Sequence, residues 1–336
     1  MKSKKWLIFF LGILASVSVA FVILRIAAPM DMNRSVYINI QMPQNNNQDI
    51  HNIENLEINM PHIASLPEMP LPGAAQNISI SPAPPAVNVP VLMYHHLADY
   101  ADNDAVITPE SFAVQMRALR DNGFTAITLQ QLIDYVDEGI ALPDRPIIIT
   151  FDDGYLSVYT YAFPILARYG MHAVSFIIGH TVGTYTYKDT GHPTIPKFDF
   201  QQARNMAGVM SIQSHTYDMH QWPPFEAGRA RENILIWPDE NVYVYESILR
   251  ADHQRISDLV YTEVGAQVIA IAFPHGQHDA LSHQILQDMG VRVTFTTEPG
   301  WNLVVKGDAT SLIALNRFNV TDDICEVLLM DMLRSE

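Results

Sequence analysis

The chain has 336 residues, 48% of them hydrophobic, enough for one large core or two small ones. Acidic residues number 36 and basic ones 20; the four basic residues before position 26 sit in a segment without acids, leaving 16 basic against 36 acidic residues beyond it. A surface that acidic repels nucleic acid and argues against a nucleic-acid partner, and the single cysteine, Cys325, rules out an intrachain disulfide or a multi-cysteine metal site.

Residues 1–5 read Met-Lys-Ser-Lys-Lys, and Trp6 to Leu24 follow as 19 uncharged, mostly apolar residues. That length spans a hydrocarbon core, and the lysines on its N-terminal side should stay in the cytoplasm. Residues 1–25 are therefore expected to be a basic stub and a transmembrane signal-anchor, with everything after Arg25 outside the cell. Ser18-Val19-Ala20 offers a competing cleavage site, which would release the protein as a secreted one, but the apolar run continues past it through Leu24. Residues 26–88 carry the polar run Gln44-Asn45-Asn46-Asn47-Gln48 and prolines at 61, 67, 70, 72, 82, 84 and 85. Such a stretch buries too little apolar surface to offset its ordering entropy, so it reads as a disordered linker with room for one short element at 53–58.

From Val89 to Glu336 strands and helices alternate. Pro90–Tyr94 reads as a buried strand. Thr108-Pro109-Glu110 opens a helix, with Phe112, Met116 and Leu119 on one face and Gly123 past its end. Thr128 and Gln131 form a capping box for the next helix. Ile147–Phe151 has the continuous apolar character of a fully buried strand. His172–Ile178, Val209–Ser214, Val268–Phe273 and Val291–Thr296 are further strands; Glu246–Tyr261 and Ala280–Met289 are helices. Gly179–Met210 reads as a long active-site loop, and Cys325 as a small buried thiol of a C-terminal helix. The alternation predicts one α/β domain with parallel strands, plausibly a barrel.

Chemistry is expected at the ends of such strands. Thr150-Phe151-Asp152-Asp153-Gly154-Tyr155 places two carboxylates just past a buried strand; by itself it reads as an Asx-type turn. Ser214-His215-Thr216-Tyr217-Asp218-Met219-His220 ends another strand with two imidazoles, and alone it reads as a surface loop. Together, one carboxylate and two histidines make a three-ligand metal site with an open position for water, the pattern of a catalytic zinc. Such an ion brings the pKa of its water to about 7 and polarises a carbonyl. The remaining carboxylate can then serve as the base.

At these residues the chain resembles the polysaccharide deacetylases with a NodB-homology domain, a family of metal-dependent carbohydrate esterases. The likeness covers residues 89–320: 150–155 matches the first motif of the family and Ser214-His215-Thr216 opens the second. It implies a distorted (β/α) barrel of the NodB-homology type, Asp153, His215 and His220 as metal ligands, and Asp152 as general base. It further implies that the backbone N–H of Tyr155 helps hold the oxyanion and that Thr216 braces the histidine loop. Zinc is the expected ion, with cobalt or nickel also suited to these ligands. Pro90–Leu97 and Phe295–Asn302 resemble the deacetylases that process poly-N-acetylglucosamine of biofilms, and that likeness makes His95 the general acid, with His96 as the alternative.

The chain also departs from the family pattern. Ala272 stands where many members carry an arginine that orients the base, His275 replaces the aromatic after Pro274, and the C-terminal acid motif Leu-x-His is missing. Arg317 is a candidate for the missing cation, with an ordinary surface arginine as the plain alternative. Pro274 is expected on the substrate side of the site, and His180, His192, His278 and His283 read as solvated residues. The expected partner is an amino-sugar polysaccharide, met by a monomeric catalytic domain that the N-terminal helix holds at the membrane. Alternatives are a peptidoglycan or chitooligosaccharide deacetylase, and, in a different class, a catalytically weak surface protein that binds glycan.

Overall fold

A computed structural model describes residues 85–334. Its centre is a curled, all-parallel sheet, ordered Val293–Phe295, Ala270–Ala272, Met210–Ser214, Ala173–Ile177, Pro146–Phe151, Val91–Tyr94 and Phe318–Asn319, with Thr125–Ala126 beside Pro146–Phe151 as the eighth strand. The ordering is the one expected of successive strand–helix–strand units, each parallel strand needing a crossover. Leu315 bridges Phe295 at one edge, while Phe318 pairs with Leu92 at the other. The segment 315–319 thus reaches both edge strands and curls the sheet upon itself.

Alternation along Pro146–Phe151 separates two apolar clusters. Ile147, Ile149 and Phe151 pack with helix α1 (Pro109–Asp121) and helix α3 (Phe163–Tyr169), whereas Ile148 packs with Val91, Val174, Phe176, Ala270 and Phe295. Thr150 belongs to this second face and donates to the Leu92 carbonyl at 2.8 Å. The local signals act as expected at both early helices. Thr108 accepts the Ser111 N–H at the start of α1, and the Thr128–Gln131 capping box opens α2 (Leu129–Asp137).

Several boundaries differ from the sequence reading. Ala86–Val89 is a strand, antiparallel to Asn302–Val305, so residues 86–88 at the end of the stretch read as linker belong to a strand. The helix expected from Glu246 starts at Val242, forming α5 (Val242–Val264). Its first turn, Val-Tyr-Val-Tyr, has β character, but the Asn241 side chain caps it by accepting the N–H groups of Tyr243 and Val244. The 179–210 segment is not loop throughout. It contains the two-stranded pair Thr186–Tyr187 and His192–Pro193 and helix α4 (Phe200–Asn205), opened by an Asp199–Gln202 capping box. Helix α6 (Ala280–Asp288) lies where expected. Cys325 is exposed, because α7 (Glu326–Met332) begins one residue later and leaves it as the extended N-cap. Among the described residues no helix is long and apolar enough to cross a membrane. The stub and anchor expected at 1–25, and residues 26–84 of the linker expected at 26–88, lie outside the described residues.

Candidate active site

Asp152 continues the inward series Ile148, Thr150, Asp152 beyond the C-terminal end of its strand, and it is buried. Asp153 and Gly154 then both take left-handed backbone, φ 69° each, which turns the second carboxylate sideways. At Gly154 a Cβ would come to 3.1 Å from the Ile177 side chain, so the turn favours glycine chiefly for its conformation, with little room to spare.

The histidine loop is built as tightly. His215 follows the strand Met210–Ser214, and Thr216 has φ 71°. Ser214 Oγ accepts the Thr216 N–H at 3.0 Å, and Thr216 Oγ accepts the Met219 N–H at 3.2 Å. From α5, Asp252 accepts the N–H groups of Tyr217 at 2.8 Å and Asp218 at 2.7 Å. These bonds bend the five-residue step from His215 to His220 back on itself, bringing the rings to 5.1 Å between centroids.

Asp153 Oδ1 lies 3.5 Å from His215 Nε2 and 3.8 Å from His220 Nε2, and the three ligand atoms fall within 4.8 Å of one another. Asp153 Oδ1 is buried with no hydrogen-bond donor, an arrangement that costs free energy unless a cation satisfies it. His215 Nδ1 bonds the Ala272 carbonyl at 2.8 Å, which fixes that nitrogen as the protonated one and leaves Nε2 free to ligate. Burial, followed by the charge of His215, pushes the His220 imidazole down to about 3, keeping it neutral as a ligand must be. The trio therefore fits a divalent ion in both donor type and protonation state.

On the other side of Asp153, Asp152 is gripped by Arg317. Burial alone would raise the Asp152 pKa; the Arg317 guanidinium, and His215 after it, outweigh that and hold it below the usual carboxylate range. Arg317 is fully buried and also donates to the Thr296 carbonyl at 2.7 Å and Thr150 Oγ1 at 3.2 Å. The plain alternative of a surface arginine is thereby overturned: the segment 315–319 that reaches both sheet edges carries it inside. Ala272, at the position of the absent motif arginine, is itself buried.

His95 Nε2 stands 3.9 Å from Asp152 Oδ2. His96 faces away, its Nδ1 2.8 Å from Ser157 Oγ and its ring against Tyr155. Tyr155 forms a bridge with Lys197 whose hydrogen bonds run from Leu156 N–H to the Pro196 carbonyl and from Phe198 N–H to the Gly154 carbonyl, so its own N–H lies outside that ladder. Pro274 is buried, and His275, at φ 55°, places its ring 4.6 Å from that of His220.

Three of the histidines read as solvated are engaged. His180 Nε2 is 3.4 Å from Asp218, and His278 and His283 bond each other at 2.9 Å against Phe273. His192 is exposed as expected, stacked on Phe225. Sequence reasoning missed Asp252 and Lys197. Lys197 is buried with its Nζ 3.4 Å from the centre of the Tyr155 ring. Neither has a local signal, since each meets the site through contacts distant in sequence.

The sequence model of the family described as polysaccharide deacetylase matches residues 139–294. That span holds Asp152, Asp153, His215 and His220 but stops short of His95 and Arg317. The protein YxkH of Bacillus subtilis is 27% identical over 214 residues, which is 63% of this chain and 65% of that one. The poly-beta-1,6-N-acetyl-D-glucosamine N-deacetylase of Escherichia coli K12 is 26% identical over 226 residues, 62% of this chain and 34% of its own length. The chain thus spans between about a third and two thirds of these relatives. A de-N-acetylase from Aggregatibacter actinomycetemcomitans superposes with a TM-score of 0.63 at 22% identity, covering 74% of this chain and all of that one, and so shares the fold.

Proposed function

We propose that this chain, whose residues 139–294 match the polysaccharide deacetylase model, hydrolyses the N-acetyl groups of N-acetylglucosamine residues in an extracellular glycan of the poly-β-1,6 type. The observation that carries the reading is the juxtaposition of the Asp153, His215 and His220 trio with an arginine-clamped Asp152 and the nearby His95. The name of the Escherichia coli relative supports the substrate. The fold supports the distorted barrel of the NodB type, and the run 6–24 supports export and tethering at the membrane.

A divalent ion held by the trio, zinc in this reading, would supply Lewis acidity and an acidified water. Asp152, kept anionic and aimed by Arg317, takes the proton of the attacking water. The Tyr155 N–H donates to the oxygen that gains charge as the acetyl carbon becomes tetrahedral. His95 then delivers a proton to the departing nitrogen, because an amide nitrogen leaves as an amine and not as an anion. Acetate and a glucosamine residue result. The reading of a catalytically weak glycan binder drew on the missing arginine and on His275 in place of the aromatic; Arg317 removes the first reason and leaves the second.

Acetate release from β-1,6- and β-1,4-linked N-acetylglucosamine oligomers, with and without chelator, tests the reading. Chelator-sensitive release, faster on the β-1,6 series, is expected. No release from either series would overturn it, and faster release from the β-1,4 series would move the substrate to a chitin- or peptidoglycan-like glycan.

A further inference from the structure

Two cavities flank the trio. One, of about 440 Å³, contains His95, Asp152, His275, Thr297 and Asn319 and holds the proton-transfer groups. The other, of about 400 Å³, lies on the far side under the 179–197 segment and shares Asp153 and His220 with the first. Both volumes fall within the range of about 300–1,000 Å³ typical of ligand pockets. The two proton transfers just described use groups of the first, and Tyr155, whose N–H serves the oxyanion in that chemistry, lines the second.

The second cavity has the lining of a carbohydrate site. Trp222 and Ile195 border it and are 45% and 44% exposed, a pairing of large apolar groups at the rim of the cleft. Thr184, Thr186 and Thr194 add hydroxyls, and the Lys197 ammonium lies on its floor. That ammonium rests on the Tyr155 ring, and among the described residues no carboxylate lies within 4.0 Å of it. A buried cation that rests on a ring face, with its nearest anionic influence, Asp153, beyond contact distance, keeps its hydrogen-bonding capacity for something that enters the cavity.

The wall is held in place before any ligand arrives. Tyr187 donates its hydroxyl to Glu226 and accepts the Trp222 N–H at 3.0 Å, while Lys188 spans Asp218 and Glu226. These links pin the 186–193 strand pair to the histidine loop. Trp222 is further packed edge-on against Phe225 at 4.6 Å and Tyr187 at 6.1 Å. An exposed aromatic held rigid by its neighbours is a low-entropy platform for a flat, partly apolar ligand.

We propose that this second cavity is a subsite for the sugar residue next in the chain to the one deacetylated, its ring face on Trp222 and its oxygens accepting hydrogen bonds from Lys197. The inference rests on the glycan deacetylase reading: a polymer whose reacting residue sits at the trio must continue past Asp153 and His220, and this cavity opens there.

The test compares kcat/KM for the methyl glycoside of N-acetylglucosamine and for its β-1,6-linked pentamer in the wild type, Trp222→Ala and Ile195→Ser, with bound metal measured in each. Both changes are at exposed positions, and retained metal shows that the histidine loop is intact. The expected result is a loss on the pentamer about tenfold greater than on the monomer, expressed in KM, as fits one lost aromatic contact. Equal losses on both substrates, or no loss on the pentamer, would overturn the subsite while leaving the deacetylase reading standing. Should the wild type release acetate from neither, that reading fails and the subsite is judged by calorimetry. An unchanged pentamer Kd in Trp222→Ala would overturn it, and a roughly tenfold weakening would sustain it.

Discussion

Arg317 holds Asp152 with both prongs of its guanidinium, Nη1 to Oδ1 and Nη2 to Oδ2, each at 2.8 Å. A lysine can supply the charge but not the two-pronged geometry. Arg317→Lys should therefore keep the fold and bound metal while lowering kcat by about 10–100-fold through misalignment of the base. Arg317→Met strands a buried carboxylate and should destabilise by about 3–5 kcal/mol. The guanidinium keeps the Asp152 pKa low, so its removal raises that pKa and moves the acid limb of the pH–rate profile to higher pH. Full kcat in Arg317→Lys, by steady-state assay, would refute the orienting role.

The two adjacent carboxylates should separate by metal content. Asp152→Asn leaves the trio untouched, so the ion stays while turnover falls by about 10²–10⁴. Asp153→Asn removes the one anionic ligand and His215→Ala the most buried imidazole, so both should lose ion and activity together. Elemental analysis beside kcat decides the matter. Equal metal loss in Asp152→Asn and Asp153→Asn would mean the roles are misassigned.

What the sequence made legible was local. The Thr128–Gln131 box and the Asp152–Asp153–Gly154 turn each depend on neighbours within a few residues, and they stand where expected. Arg317 could be read only as one of two options, because its burial depends on the 315–319 segment meeting both edges of the sheet. Asp252 meets Tyr217 and Asp218 across a gap of 34 or 35 residues, and no pattern in the intervening chain announces it. Cys325 was read as buried and the start of α5 was placed at Glu246, and in each case a cap position decides otherwise: Cys325 is itself the exposed N-cap of α7, and Asn241 caps the helix that begins at Val242. The Asp199–Gln202 box was a readable signal within a segment taken as loop.

Lys197 should carry a stability cost that depends on pH. Burial, partly offset by Asp153, brings its pKa down to about 8, against about 10.4 for an unfolded lysine. Between those values the unfolded chain binds more protons, so wild-type stability recovers as pH rises through that window, while below about 8 the full cost is present. Lys197→Met should therefore raise Tm at pH 7, by at most about 3 kcal/mol in stability. The advantage should shrink steadily from pH 8 to 10. Paired thermal melts across that range check it, and a variant that is less stable at pH 7 would contradict it. A lysine kept at such a cost is what a ligand-directed residue looks like.

The assignment of the acid to His95 rather than His96 follows from how two consecutive imidazoles part after the strand Val91–Tyr94. His95 turns inward to within 3.9 Å of Asp152 and lines the cavity that contains the trio. His96 turns outward, where Ser157 Oγ meets its Nδ1 at 2.8 Å and also accepts the Leu97 N–H at 3.0 Å. Burial, with Lys197 adding to it, lowers the His96 pKa, so that ring is held neutral and has no spare proton to give. His95→Ala should accordingly cut kcat by about 10²–10⁴ without changing metal content. His96→Ala should act instead on stability, through the two contacts at Ser157, and leave the shape of the pH profile intact. Exchange of these two phenotypes would transfer the acid role to His96. Unchanged turnover in both variants would mean the proton reaches the amine from a group on neither side of Asp152.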